Sequence, residues 1–321
     1  MSRYQRQSML PEIGDAGQRA LQQARVLVVG AGGLGATLLP QLAGAGIGYL
    51  RIYDGDRVEE HNLHRQTLYT LQDTGELKAA CARLALNARN PDCVVEARAQ
   101  TLSASTLDDA LESIDLVIDA ADNFAATYLL SDTCLPRRLP LVSASVLGRQ
   151  GYVGGFCGGA PSYRAIFPQL PGSAANCNTA GVMGPAVAAL GALQAQMALS
   201  ILLGFSPSPL GCLINCDFTS WHFRQFRFDG ADEPDRPGVP FIDRKLLASG
   251  DCIVELRSLE EAPYSISDCA VRVCPEQIEH WQPPADRRIV LVCASGIRAA
   301  KAAMQLEQRG ITRLAIVAAN R

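Results

Sequence analysis

The chain has 321 residues and 11 cysteines, yet no Cys-x-x-Cys pair. The cysteines are scattered at 81, 93, 134, 157, 177, 212, 216, 252, 269, 274 and 293, so zinc-site and thioredoxin-type spacing are both missing. Most read as small buried hydrophobes of a reducing compartment, and a reactive one must be identified by its surroundings. Basic excess is absent as well. Lys and Arg number 29 against 32 Asp and Glu, a formal net charge of −3, which leaves nucleic acid no electrostatic footprint. No charge run, internal repeat or low-complexity tract is present, which removes a disordered tail and a repeat architecture. The charged start Met1-Ser-Arg-Tyr-Gln-Arg6 has no apolar core behind it, so no secretory signal is expected and a cytoplasmic enzyme is the default.

Long uncharged runs are scarce, with one exception. Residues 179–205 carry no charge, a length that would cross a bilayer. Gly181, Gly184-Pro185 and Gly191 interrupt the run, Gln194 and Gln196 add polarity, and basic flanks are lacking. A helix apolar on most faces, inside a large domain or at a subunit contact, fits better than a membrane span.

Against these absences stands one dense stretch. Arg25-Val-Leu-Val-Val-Gly30-Ala-Gly32-Gly33-Leu-Gly35 passes from a buried-strand run straight into a glycine turn. A helix through residue 45 and a strand over 49–53 follow, closed by Asp54. Strand, glycine turn, helix, strand and terminal acid form the first half of a dinucleotide-fold domain. Further strands are predicted at 94–98, 116–120, 141–145, 151–157 and within 212–228, and helices at 14–23 and 76–90. The expected fold class is therefore α/β, a Rossmann-like nucleotide-binding domain with a mixed sheet over residues 1–228. Gly, Asp, Glu, Arg and three prolines cluster at 229–240, which is linker chemistry. Residues 241–321 restart an α/β pattern, with strands at 252–256, 288–293 and 311–317 and a helix at 297–308. That reads as a small second domain.

The glycine turn alone leaves the ligand open. Gly32 lets backbone approach phosphate, Gly35 lets the helix pack on the strand, and the helix N-terminus attracts an anion. Asp54, placed to grip ribose hydroxyls, is shared by an NAD(P)-dependent oxidoreductase and by an ATP-binding enzyme. The two readings part at the next charges. Arg65 and Lys78 supply cations that a triphosphate needs, Asp122 lies beyond a parallel strand where Mg²⁺ could be held, and Asn62 and Gln66 add hydrogen-bonding groups. A single Arg or Lys is more often a solvated surface charge; the set in this order favours Mg-ATP.

A second constellation lies far downstream. Cys293-Ala294-Ser295-Gly296-Ile297-Arg298 joins an apolar strand to a helix, so the thiol faces backbone N–H groups, the positive helix end and a cation. A persulfide anion would be stabilised in the same cradle.

The segments Arg3-Tyr-Gln-Arg6-Gln, Gly30-Ala-Gly-Gly-Leu-Gly35, Asp54-x-Asp56-x-Val58, Asn62-Leu-x-Arg65-Gln66, Lys78 and Asp122-Asn123, with Cys177-x-x-Ala-Gly181-Val-Met-Gly-Pro185, resemble the ubiquitin-activating-type adenylyltransferases of the MoeB/ThiF/HesA group. The resemblance covers about residues 3–228. It implies a homodimer that uses Mg-ATP to activate the C-terminal Gly-Gly carboxylate of a ubiquitin-like sulfur-carrier protein. By the same resemblance Gly33 lies against the phosphates, Asp54 binds the ribose, Arg65 and Lys78 neutralise the triphosphate, and Asp122 holds the metal. Arg6 would reach the partner's ATP as an arginine finger, while Asp56, Asn62 and Gln66 order the site. Cys177 stands where some members carry out thioester or acyl-disulfide chemistry; an idle loop cysteine is the alternative.

Two departures qualify the likeness. The family's zinc-binding Cys-x-x-Cys pairs would fall near residues 162–165 and 228–237, where this chain has none, so no structural zinc is expected. An arginine usual four residues after the Asn123 position is Thr127 here. The Cys293 loop resembles a rhodanese active-site loop, and Glu255-Leu-Arg257 resembles that domain's Asp-x-Arg element. The sulfur donor would be a cysteine desulfurase or thiosulfate. The stretch after Cys293 is shorter than the family's, which leaves a degenerate docking module as the alternative to a working sulfurtransferase.

Overall fold

The computed structural model describes residues 3–170 and 181–319. Its centre is β1 (Arg25–Val29), whose Val-Leu-Val-Val run is buried from both faces, as an interior parallel strand requires. Around it an eight-stranded sheet has the order β3-β2-β1-β4-β5-β6-β7-β8. The strands are β2 (Tyr49–Tyr53), β3 (Val94–Arg98), β4 (Leu116–Asp119), β5 (Pro140–Leu147), β6 (Gln150–Cys157), β7 (Cys212–Asp217) and β8 (His222–Arg227). The first five pair in parallel, and β6, β7 and β8 add antiparallel. Strand order reverses between β1 and β4, the crevice where open α/β sheets bind ligands.

One face of the sheet is covered by α3 (Gly33–Ala45), α4 (Lys78–Arg89) and α8 (Gly184–Leu202). Leu34, Leu38, Leu39 and Leu42 of α3 are buried at helical spacing, so the helix docks through a leucine stripe. The uncharged run becomes α8, packed on α3, β5 and β6. By length and composition it could cross a membrane, but Leu190, Gln194 and Ala198 are fully buried in the core. Gly191 makes the close approach: a Cβ there would sit 2.8 Å from the Leu34 carbonyl.

The other face carries α5 (Leu107–Leu111) and α6 (Phe124–Arg137). Two short helices, α1 (Gln5–Ser8) and α2 (Gly14–Gln23), precede the sheet, and α7 (Tyr163–Ile166) follows β6. A second, all-parallel sheet has the order β10-β9-β11-β12. It comprises β9 (Cys252–Glu255), β10 (Val271–Arg272), β11 (Ile289–Cys293) and β12 (Leu314–Ala318), with α9 (Ile297–Gln308) on one side. The two-residue β10 gave no sequence signal, being too short to show alternation.

The 229–240 segment, which reads as linker, is tied down. Glu233 accepts hydrogen bonds from the Ser162 N–H at 2.6 Å and its hydroxyl at 2.5 Å, and the Pro240 carbonyl accepts from Ile316 N–H at 2.9 Å. Ser162 and Glu233 come from the two segments, 162–165 and 228–237, that lack the family's zinc-binding Cys-x-x-Cys pairs.

Candidate active site

The turn from β1 into α3 has one conformational requirement that its sequence meets. Gly30 has φ +102°, and a Cβ on it would meet the Ala120 carbonyl oxygen at 2.5 Å. The turn is thereby pressed against the end of β4. Gly35 approaches the Gly30 carbonyl too closely for any side chain, which seats α3 on the turn. Gly32 is open, with the Gln66 amide nitrogen 3.7 Å from its absent Cβ as the nearest group. The stem of Arg65 lies over Gly33, Cδ and Cγ at 3.7 Å from the same construction. The α3 N-terminus is therefore a backbone N–H cradle with a cation beside it.

The segment after β2 loops out and returns to its own start. Lys78 N–H donates to the Asp56 carbonyl at 3.0 Å, and Lys78 Nζ donates to Asp56 Oδ2 at 2.9 Å. That closure brings Lys78 beside Asp54, and the residue is only 4% exposed. It is not the solvated surface charge that a lone lysine usually is. Tyr69 Oη donates to the Ala31 carbonyl at 2.7 Å and binds the loop to the glycine turn. Inside the loop Gln66 Nε2 donates to Asn62 Oδ1 at 3.1 Å, both residues being buried. Gln66 Oε1 is buried with no hydrogen-bond partner, an acceptor with unused capacity.

Asp54 has a role that its position in sequence did not reveal. Oδ2 accepts the Ala31 N–H at 2.7 Å and Oδ1 accepts the Asp56 N–H at 2.8 Å. It therefore clamps the glycine turn to the following loop, and each oxygen keeps a further lone pair for a ribose hydroxyl. Burial pushes its carboxyl up from 3.8, opposed by the Ala31 N–H and the Lys78 charge.

Asp122 follows β4, exposed, and makes no hydrogen bond among the described residues. Two residues before it, Ala120 lies on Gly30, so Asp122 follows directly on the contact between the end of β4 and the glycine turn. A single exposed oxygen ligand suits Mg²⁺, which keeps several waters and shares its sphere with phosphates. Asn123 caps α6, its Oδ1 accepting Ala126 N–H at 2.9 Å.

Sequence reasoning missed Asp119. It is fully buried at the end of β4, where Thr127 Oγ1 at 2.7 Å and Ser143 Oγ at 2.8 Å donate to Oδ2. Thr127, read as a lost arginine, therefore supplies a different contact. The available signal was a carboxylate inside the apolar run Leu116-Val-Ile-Asp119-Ala-Ala, where an unpaired charge is costly.

Arg6 is not brought to this chain's own cradle. Tyr4 accepts from Asn90 and Gln7 donates to the Ala45 carbonyl, so α1 docks at the far end of α3. That is about 18 Å from Gly33 at 1.5 Å per residue. Cys177 lies outside the described residues.

Cys293 belongs to the second sheet. It ends β11, fully buried, and its Sγ accepts N–H groups of Gly296 at 3.1 Å and Ala299 at 3.4 Å. Ala294, Ser295 and Gly296 form the turn, and Ile297 and Arg298 start α9. Gly296, at φ +85°, has the Phe241 ring 2.7 Å from where a Cβ would stand. Arg298 is paired with Glu261 at 2.5 Å, and buried Glu255 grips Arg257 through both oxygens.

The profile of the ThiF family matches residues 4–237, ending before the second sheet. The adenylyltransferase and sulfurtransferase MOCS3 of Drosophila grimshawi is 41% identical over 231 residues, which is 71% of this chain and 51% of that protein. This chain thus spans about half the length of that curated relative. The sulfur carrier protein adenylyltransferase of Thermus thermophilus is 41% identical over 233 residues, 70% of this chain and 86% of that protein. Among solved structures, E. coli MccB with MccA-N7isoASN superposes with TM-score 0.65 at 22% identity, covering 73% of this chain and 74% of that one. PaaA superposes at 0.60 and 22% identity, covering 70% and 72%. At such identities these two likenesses speak for the fold.

Proposed function

The chain belongs to the ThiF family, and from that premise we propose that it is an adenylyltransferase that uses Mg-ATP to activate the C-terminal Gly-Gly carboxylate of a ubiquitin-like sulfur-carrier protein. The carboxylate attacks the α-phosphorus, a carboxyl–AMP mixed anhydride forms, and pyrophosphate departs with the electron pair of the broken bond. The observation that carries this reading is Lys78, a cation buried beside the glycine turn and held by Asp56. A dinucleotide has no need of that charge, whereas a departing pyrophosphate is stabilised by it.

The other residues divide the work. Gly32 and Gly33 present N–H groups to phosphate, Asp54 holds ribose, Arg65 lies along the phosphates, and Gln66 Oε1 accepts a ligand hydrogen bond. Asp122 would hold the metal, which when bound neutralises phosphate charge. Arg6, distant from its own cradle, suits a role in the partner's site of a homodimer. No part of this reading calls for structural zinc, and a cytoplasmic setting is included in it.

For the second half, a Cys293 persulfide, loaded by a cysteine desulfurase or thiosulfate, attacks the activated carbonyl and expels AMP. A second thiol then cleaves the acyl disulfide, forming a mixed disulfide with Cys293 and releasing the carrier thiocarboxylate. The paired N–H donors on Cys293 Sγ support an anionic sulfur there. Asp122→Ala is expected to lower carrier-dependent ATP–pyrophosphate exchange by at least ~100-fold. Cys293→Ala should leave exchange intact and stop thiocarboxylate formation, read by intact mass of the carrier. Full thiocarboxylate yield from Cys293→Ala would refute the sulfur-transfer half alone.

A further inference from the structure

Asp119, at the end of β4, receives donors from α6, β5, α8 and the turn that follows it. Thr127 of α6 and Ser143 of β5 donate hydroxyls to Oδ2. Ala121 of the turn itself donates its N–H to Oδ1 at 3.2 Å. Gln194 of α8 donates Nε2 to the Asp119 main-chain carbonyl at 2.7 Å. Beyond these bonds, the turn is fixed by Ala120 N–H to the Val29 carbonyl at 2.8 Å and by the fit of Ala120 on Gly30.

A buried carboxylate is an expensive way to close a strand. Packing alone would be served as well or better by an apolar residue of the same volume. What an apolar residue cannot do is accept the Ala121 N–H while being aimed from the other side. Thr127 does the aiming: its hydroxyl sets the carboxylate plane, and its Oγ1 also lies 3.4 Å from the Asn123 carbonyl. Asp122, between Ala121 and Asn123, has both backbone neighbours held by this network while its own side chain is unbonded.

We propose that Asp119 is the positioning residue of the metal-side turn. Its carboxylate, oriented by Thr127, fixes the backbone from which Asp122 projects and thereby sets divalent-cation affinity. The proposal rests on Asp122 being the Mg²⁺ ligand. Outer groups that orient a ligand typically contribute 10- to 100-fold in metal affinity, so the effect is within reach of direct binding measurements.

The test titrates Mn²⁺, as a spectroscopic substitute for Mg²⁺, into the full chain with a non-hydrolysable ATP analogue. Metal-free affinity for the analogue is measured in parallel. Thr127→Val, which removes one hydroxyl at nearly constant shape, should weaken Mn²⁺ by about ten-fold and leave metal-free analogue binding unchanged. Thr127→Ser should return Mn²⁺ affinity to near wild type. Asp119→Asn should weaken it at least as much as Thr127→Val; if that variant does not fold, the threonine pair decides. Wild-type Mn²⁺ affinity in Thr127→Val, or a serine variant as weak as the valine one, overturns the positioning role. Asp122→Ala separates the two levels. Loss there with none in Thr127→Val removes the positioning role alone, and no loss there removes Asp122 as a ligand and the proposal with it.

Discussion

Lys78 and Asp119 represent two ways of placing charge inside this domain. Lys78 keeps its partner Asp56 at the surface, 74% exposed at the side chain, so the ion pair is solvated on one side and its net worth is modest. On the proposed function its value is to hold a cation where phosphate would lie. Asp119 is sealed, and burial drives its carboxyl up to about 6, against the pull of Thr127, Ser143 and the Ala121 N–H, with Asp122 adding to the rise. Tyr152, Tyr163 and Cys134 also face it and are pushed upward, so they remain neutral near pH 6. An unfolded aspartate titrates near 3.8, so the folded chain holds this proton more tightly. The stability from that proton is full below the unfolded value and is lost as pH rises through about 6. The stability of wild type relative to Asp119→Asn should accordingly fall between about pH 5 and about pH 7, by about 1 kcal/mol. Chemical denaturation at the two pH values measures it. A difference that grows with pH would contradict the assignment.

At the scale of elements, what was legible in the sequence was periodicity and punctuation. The run into Gly30, the leucine stripe of α3 and the uncharged α8 each announced an element, because burial on one or both faces leaves a compositional trace. Tertiary hydrogen bonds leave no such trace. Nothing in Ser162 or Glu233 announces that they meet across 71 residues, nor in Tyr69 that it secures the glycine turn. The positions lacking zinc cysteines illustrate the difference: the absence was readable, and the Ser162–Glu233 link that stands there was not. A carboxylate accepting two hydrogen bonds from one residue is a charge-assisted contact, so Glu233→Gln should cost about 1–3 kcal/mol. On the proposal of no structural zinc, a strong zinc chelator should leave the wild-type melting temperature unchanged. A fall on chelation would reinstate a metal.

At the scale of the whole molecule, the two sheets share one hydrophobic cluster. Phe241 stacks with Tyr128 of α6 at 6.4 Å and lies on Gly296 of the Cys293 turn. Asp243 Oδ2 accepts the Ser105 N–H at 2.8 Å. Two patterns of strands and helices were visible in the sequence, but their joining was not, since a lone Phe after a proline-rich stretch has no periodic context. On the proposed function, the cradle and cations of the first sheet serve Mg-ATP and a carrier carboxylate. Mg²⁺-dependent ATP–pyrophosphate exchange tests it most directly, run with an intact ubiquitin-like sulfur carrier and with the same carrier lacking its last two glycines. Exchange is expected with the intact carrier and none with the truncated one. No exchange with either, alongside stabilisation by NADH and not by Mg-ATP, would contradict it.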